Sequence, residues 1–181
     1  MQPKVENNKN IVLQKYQKLL LIGSDVWHEK DLAMNFIGPV LGLAEFMEPY
    51  RFNLFAERTI GATIRGLKSE FELSGEPDGM IATGYWEPEI PMFAFSEYKR
   101  TLDPHGDPAG QALAAMLVAQ KLNQNETPIY GCYIVGRQWH FLVLEGTQYV
   151  ISRDYMASTD ELFEIFRVLK ALKEIIMDLT A

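Results

Sequence analysis

The chain has 181 residues, 48% of them hydrophobic and 23% charged, which suits one domain with its own core. Its formal charge of −7 at pH 7 removes the broad positive field that non-specific nucleic-acid binding draws on; Arg51, Arg58, Arg65, Lys68, Lys99 and Arg100 are scattered and form no basic arm. The single cysteine, Cys132, excludes an internal disulfide and a cysteine-based zinc site, and its apolar neighbours mark it as a buried thiol.

Residues 1–8 are polar and read as a disordered start, leaving residues 9–181 as a single domain. Residues 11–22 carry apolar side chains at helical spacing and end at Gly23, a favoured residue just past a helix. The short apolar cluster at residues 19–22 follows Lys15 and Lys18 and has no small-residue cleavage site behind it. No apolar run is long enough to span a bilayer, so the expectation is a cytoplasmic protein with no membrane partner. Ser24 is placed to cap a second helix over residues 25–46, with Trp27, Leu32, Phe36, Ile37, Val40 and Leu41 as its buried face and Pro39 as a kink or stop.

Strand patterns follow at residues 50–56, 61–66, 70–74, 78–83 and 92–99. Asp107 and Pro108 then predict a helix start, with the acid as N-cap and proline in the first turn. That helix runs to about residue 123 and is apolar almost all round, so it should be buried. Further strands read at residues 129–135, 139–144 and 149–151, with turns at Gly136 and Gly146. A closing helix begins at Ser158-Thr159-Asp160-Glu161, read as a capping box, and carries Leu162, Ile165, Phe166, Leu169, Leu172 and Ile176 on one face. The order predicts an α/β chain, a mixed sheet with helices on both faces.

The chemistry concentrates in two segments, Gly75-Glu76-Pro77-Asp78-Gly79 and Phe95-Ser96-Glu97-Tyr98-Lys99. Residues two apart on a strand share a face, so Glu97 and Lys99 point together. With Asp78 on the neighbouring strand, two carboxylates and an ammonium converge. Two carboxylates suit a hard divalent cation such as Mg²⁺, and a lysine beside them can orient an attacking water. Each residue also has a plainer reading. Asp78 suits a turn, Glu97 and Lys99 an ion pair of little worth, and nearby acids and amides a solvated surface. The combination favours a site, because charge that continues a buried strand pattern needs a partner or a metal. His28, His105 and His140 share no ligand spacing, and Tyr130, Tyr133, Trp139 and Phe141 read as packing residues.

Pro77-Asp78 followed by Glu97-Tyr98-Lys99 resembles the signature of the PD-(D/E)XK nuclease superfamily, which shares the restriction-endonuclease fold. The segments around Gln111-Ala112-Leu113, Ile129-Tyr130-Gly131 and Gly136-Arg137-Gln138-Trp139 are similar to those of uncharacterised bacterial members. The resemblance covers roughly residues 29–152 and implies a restriction-endonuclease-like core. It implies Mg²⁺ or Mn²⁺ held by Asp78, Glu97 and the Tyr98 backbone carbonyl, with Glu29 from the first core helix supporting them and Glu45 and Glu57 as alternatives. It also implies Lys99 positioning or activating the water and Gln111 orienting Lys99 or a phosphate; the tyrosine that many members carry four residues on is replaced by Ala115. The expected function is metal-dependent phosphodiester hydrolysis, with DNA as substrate and partner. The alternative is a weak or inactive module of this fold acting through a homodimer or a larger defence or repair complex.

Overall fold

A computed structural model describes residues 2–66, 69–101 and 106–181; Lys68 and His105 lie outside them. Helix α1 (Gln2–Gly23) includes residues 2–8, the stretch whose polar composition reads as disordered. Ser24 does not cap the next helix. It is buried, and the chain turns tightly after it, with Val26 and Trp27 both donating their N–H to the Gly23 carbonyl at 3.0 Å. His28 takes the N-cap position instead, its N–H donating to the Asp31 carboxylate at 3.0 Å. The helical run is then α2 (Glu29–Leu32), a π-turn (Ala33–Ile37) and α3 (Gly38–Ala44). Pro39 explains the wide turn. A proline ring crowds the carbonyl four residues back and supplies no N–H. Widening the turn ahead of it, with the Gly38 N–H reaching the Ala33 carbonyl, lets the helix continue. Glu45, at φ +63°, ends α3 before Phe46.

The strands are β1 (Asn53–Ala56), β2 (Ile60–Arg65), β3 (Glu70–Gly75), β4 (Gly79–Thr83), β5 (Glu89–Lys99), β6 (Ile129–Val135), β7 (Gln138–Glu145), β8 (Gln148–Ile151) and β9 (Tyr155–Met156). The main sheet has seven strands in the order β1-β4-β5-β6-β7-β8, with β9 beside β7. Among the described residues only β5 and β6 pair in parallel, and helix α4 (Pro108–Asn123) lies in the crossover that a parallel pair requires. The fold is thus a mixed α/β arrangement. The strand patterns read from the sequence are present to within a few residues. Asp78 falls just outside β4, and the two-residue strand β9 lies beyond the strand patterns of the sequence.

Strands β2 and β3 pair with each other away from the main sheet. They pack on the outer side of α4 through Ile60, Ala62 and Leu73, while Met116 and Ala119 meet the sheet. This explains why α4 is apolar around most of its circumference: it is covered on two sides. Asp107 caps it as expected, accepting from the Gly110 N–H at 2.9 Å.

On the opposite face, α1, the α2–α3 run and helix α5 (Glu161–Leu179) enclose a second core around Phe36, Trp139 and Ile134. The apolar face expected on α5 is spent here: Leu162, Ile165, Phe166, Leu169 and Ile176 are buried within the chain. Its start differs from the expected capping box. Asp160 is the N-cap without a side-chain bond, and the Glu161 carboxylate reaches back to the Met156 N–H at 2.7 Å. Cys132 is buried and its thiol is pushed far above its usual range by burial, as an inert core thiol requires. Among the described residues, no helix is long and apolar enough to cross a membrane.

Candidate functional site

Strand register builds the site. Gly79 pairs with Ser96 across the antiparallel β4–β5 ladder, so Asp78, one residue earlier, stands against the Glu97–Tyr98 end of β5. Its Oδ2 accepts from the Tyr98 N–H at 2.6 Å. In an extended strand the N–H and C=O of one residue face the same neighbour. The Tyr98 carbonyl therefore lies on the Asp78 side. Gly79 is needed beside this contact, because a Cβ there would run into Ser96 Oγ and the Tyr98 hydroxyl, which are hydrogen-bonded to each other at 2.8 Å.

Glu97 and Lys99 share a face of β5, as expected from their spacing. They are two of only three buried polar or charged residues among those described, at 6% and 8% exposure. The Lys99 ammonium donates to Glu97 Oε1 at 2.8 Å and lies 3.9 Å from Glu29 Oε1. Glu29 is the first residue of α2, whose helix N-terminus suits an acid. The structure therefore gathers Asp78, Glu97, Lys99 and Glu29 at one strand end. Of the alternatives to Glu29, Glu57 lines the same cleft as Asp78 but pairs with Lys30 at 3.1 Å. Glu45 lies elsewhere, bound to Lys9, Lys170 and Lys173.

Two clefts open on this strand end. One is lined by Glu76, Pro77, Glu97, Gln111 and Ala115. The other is lined by Glu29, Glu57, Asp78 and Tyr98. Gln111, in the first turn of α4, thus shares a cleft with Glu97, while the carboxylates that hold Lys99 are Glu97 and Glu29. Among the described residues, no three His, Cys, Asp or Glu side chains form a group that could hold a metal ion by themselves.

The electrostatics follow from crowding. Burial pushes the Asp78 carboxyl up to about 6; the Tyr98 N–H opposes this, while the Glu97 and Glu29 carboxylates add to it. Burial works against the charged form of Lys99, yet its bond to Glu97 and the nearby carboxylates hold it above the usual lysine range. Lys99 is therefore an ammonium at neutral pH. Nothing in the sequence marks the Tyr98 N–H as the group that holds Asp78. Only the β4–β5 register reveals it.

No family model matches the chain, and no curated protein matches it. One solved structure with which it aligns is described as the crystal structure of SSO0001. The two share 14% identity at a TM-score of 0.31, over 84% of this chain and 59% of the other. A superposition that loose assigns neither fold nor function.

Proposed function

We propose that the chain is a metal-dependent nuclease of the PD-(D/E)XK type, acting on DNA. The observation that carries this reading is the convergence of Asp78 from the loop before β4 with Glu97 and Lys99 from the end of β5, joined by the Asp78–Tyr98 hydrogen bond. The donors present are all hard oxygens: Asp78, Glu97, the Tyr98 carbonyl and, at the rim, Glu29. Mg²⁺ is held by one or two carboxylates, with waters and phosphate oxygens filling the rest, so a pair of acids suffices. Such an ion would supply Lewis-acid polarisation of the scissile phosphate and a lower pKa for a bound water.

The protein's own groups then have distinct tasks. Lys99, held as an ammonium, orients a water or phosphate oxygen by donating to it; it is no proton acceptor in this state. Glu97 and Glu29 fix where the ammonium points. Gln111 lines the same cleft as Glu97, where an amide N–H suits a phosphate oxygen. Asp78, whose carboxyl burial raises, would have to be ionised to hold such a cation.

The test is incubation of plasmid, linear duplex, single-stranded DNA and RNA with Mg²⁺ or Mn²⁺ at low salt. Metal-dependent cutting of DNA that disappears in Lys99→Ala and Asp78→Ala is the expected result. Undiminished cutting by either variant refutes the assignment.

A second reading, a catalytically weak or inactive module of the same kind, draws on two observations. The acidic net charge gives little help with DNA, and the Glu97 carboxylate is already engaged by Lys99. Mn²⁺ calorimetry separates the two readings, since an inactive module shows no binding that depends on Asp78.

A further inference from the structure

We propose that Arg137 is a positioning residue for this site, holding Glu29 against Lys99 by clamping the loop between α1 and α2 onto the end of β5; the inference rests on the nuclease reading above. The third buried polar residue among those described is Ser24, at 2% exposure, and it lies at the centre of the clamp. Ser24 Oγ accepts from Arg137 Nε at 2.5 Å, and the neighbouring Asp25 carboxylate accepts from the same guanidinium at 3.0 Å. The Ser24 carbonyl accepts from the Thr101 hydroxyl at 2.9 Å, two residues beyond Lys99. Arg137 sits in the two-residue turn between β6 and β7, whose other residue, Gly136, donates its N–H to the Lys99 carbonyl at 2.8 Å. Gly136 has φ +57°, and a Cβ there would strike the Thr101 side chain, so the turn sits directly on the strand end.

One turn therefore grips both parts of the site. Its backbone holds Lys99, and its guanidinium holds the loop that leads, four residues past Asp25, to Glu29. A guanidinium suits the task because its planar fork meets Ser24 and Asp25 at once. A lysine would reach only one. The guanidinium is bonded to Ser24 and Asp25, so it acts on the site through the position of Glu29.

Zero-length carbodiimide crosslinking of the metal-free protein, read by mass spectrometry, tests this without turnover. Wild-type protein should yield Glu29–Lys99 and Glu97–Lys99 isopeptide links. In Arg137→Ala the Glu29–Lys99 link should fall severalfold while the Glu97–Lys99 link, internal to β5, persists. Millimolar guanidinium should restore the lost link. Thr101→Val, nearly equal in volume, breaks the same clamp from the other side and should show the same selective loss without rescue. It carries the test if Arg137→Ala does not fold. Unchanged Glu29–Lys99 linking in either folded variant overturns the proposal, as does loss of both links together. If wild-type protein cuts no nucleic acid, the nuclease reading fails while the crosslinks still decide the role of Arg137.

Discussion

Asp78 carries the sharpest consequences at the scale of single residues. Its carboxyl is raised to about 6 from an ordinary value of 3.8, so between those pH values the metal-free folded protein holds a proton that the unfolded chain has released. Between those values the folded state binds more protons, and the contribution of Asp78 to stability falls as pH rises. Asp78→Asn removes that penalty while keeping an acceptor for the Tyr98 N–H. After discounting for its partial exposure, the substitution should stabilise the metal-free protein at pH 8 by about 1 kcal/mol, raising Tm by about 2–4 °C. The gain should vanish near pH 4, and thermal scans at the two pH values check both signs. The Glu97–Lys99 pair behaves differently because both partners are buried. Lys99→Met leaves the Glu97 carboxylate without its ammonium and should cost about 3 kcal/mol, whereas the double variant Glu97→Gln with Lys99→Met recovers most of that loss. Urea unfolding of the four proteins measures the coupling; additive effects would show that the pair contributes nothing to the fold.

The elements hold the site through their ends. Helix α4 presents Gln111 in its first turn, and Asp107 fixes that turn by accepting from the Gly110 N–H. Asp107→Ala should lower stability by about 1 kcal/mol through loss of the cap. Equilibrium unfolding measures it, and an unchanged midpoint would mean that water replaces the carboxylate without cost. The β4–β5 ladder is less forgiving. Gly79→Val sets a branched side chain against the bonded Ser96 and Tyr98 oxygens, so either that bond breaks or β4 shifts, and Asp78 with it. The expected cost is about 1–3 kcal/mol. A weaker Asp78–Tyr98 hydrogen bond should appear as faster amide exchange at Tyr98.

The whole molecule is two cores separated by one sheet, and the site lies at the sheet end where both layers of helices approach. Met116 joins α4 to the sheet closely enough that a Cβ on Gly131 would meet its sulfur. Met116→Ala should open a cavity and cost about 3 kcal/mol, lowering Tm by about 6–12 °C. Calorimetry checks it; a loss under about 1 kcal/mol would mean that the β2–β3 hairpin and α4 settle inward to close the gap. The net charge of −7 also acts at this scale. Few phosphates can be neutralised at once, so any duplex affinity should be weak and its decline with salt shallow compared with a basic-armed binder, which a titration across salt concentrations measures.

Local chemistry was legible in the chain itself. The strand and helix patterns, the Asp107 cap, the buried thiol of Cys132 and the shared face of Glu97 and Lys99 all follow from short-range periodicity and from the conformations single residues allow. Other features depend on groups distant in sequence. Ser24 reads as a helix cap by its neighbours, yet it is taken up by Arg137 and Thr101, more than seventy residues away. The apolar girth of α4 makes sense only once β2 and β3 cover its outer side. That Asp78 meets the Tyr98 N–H depends on the β4–β5 register, and that Lys99 lies between two carboxylates depends on where the loop after α1 sets down α2. Backbone preference and hydrophobic spacing act within a few residues, so they specify elements. Strand register and the docking of polar side chains balance burial against long-range hydrogen bonds, so the assembled tertiary structure alone decided them.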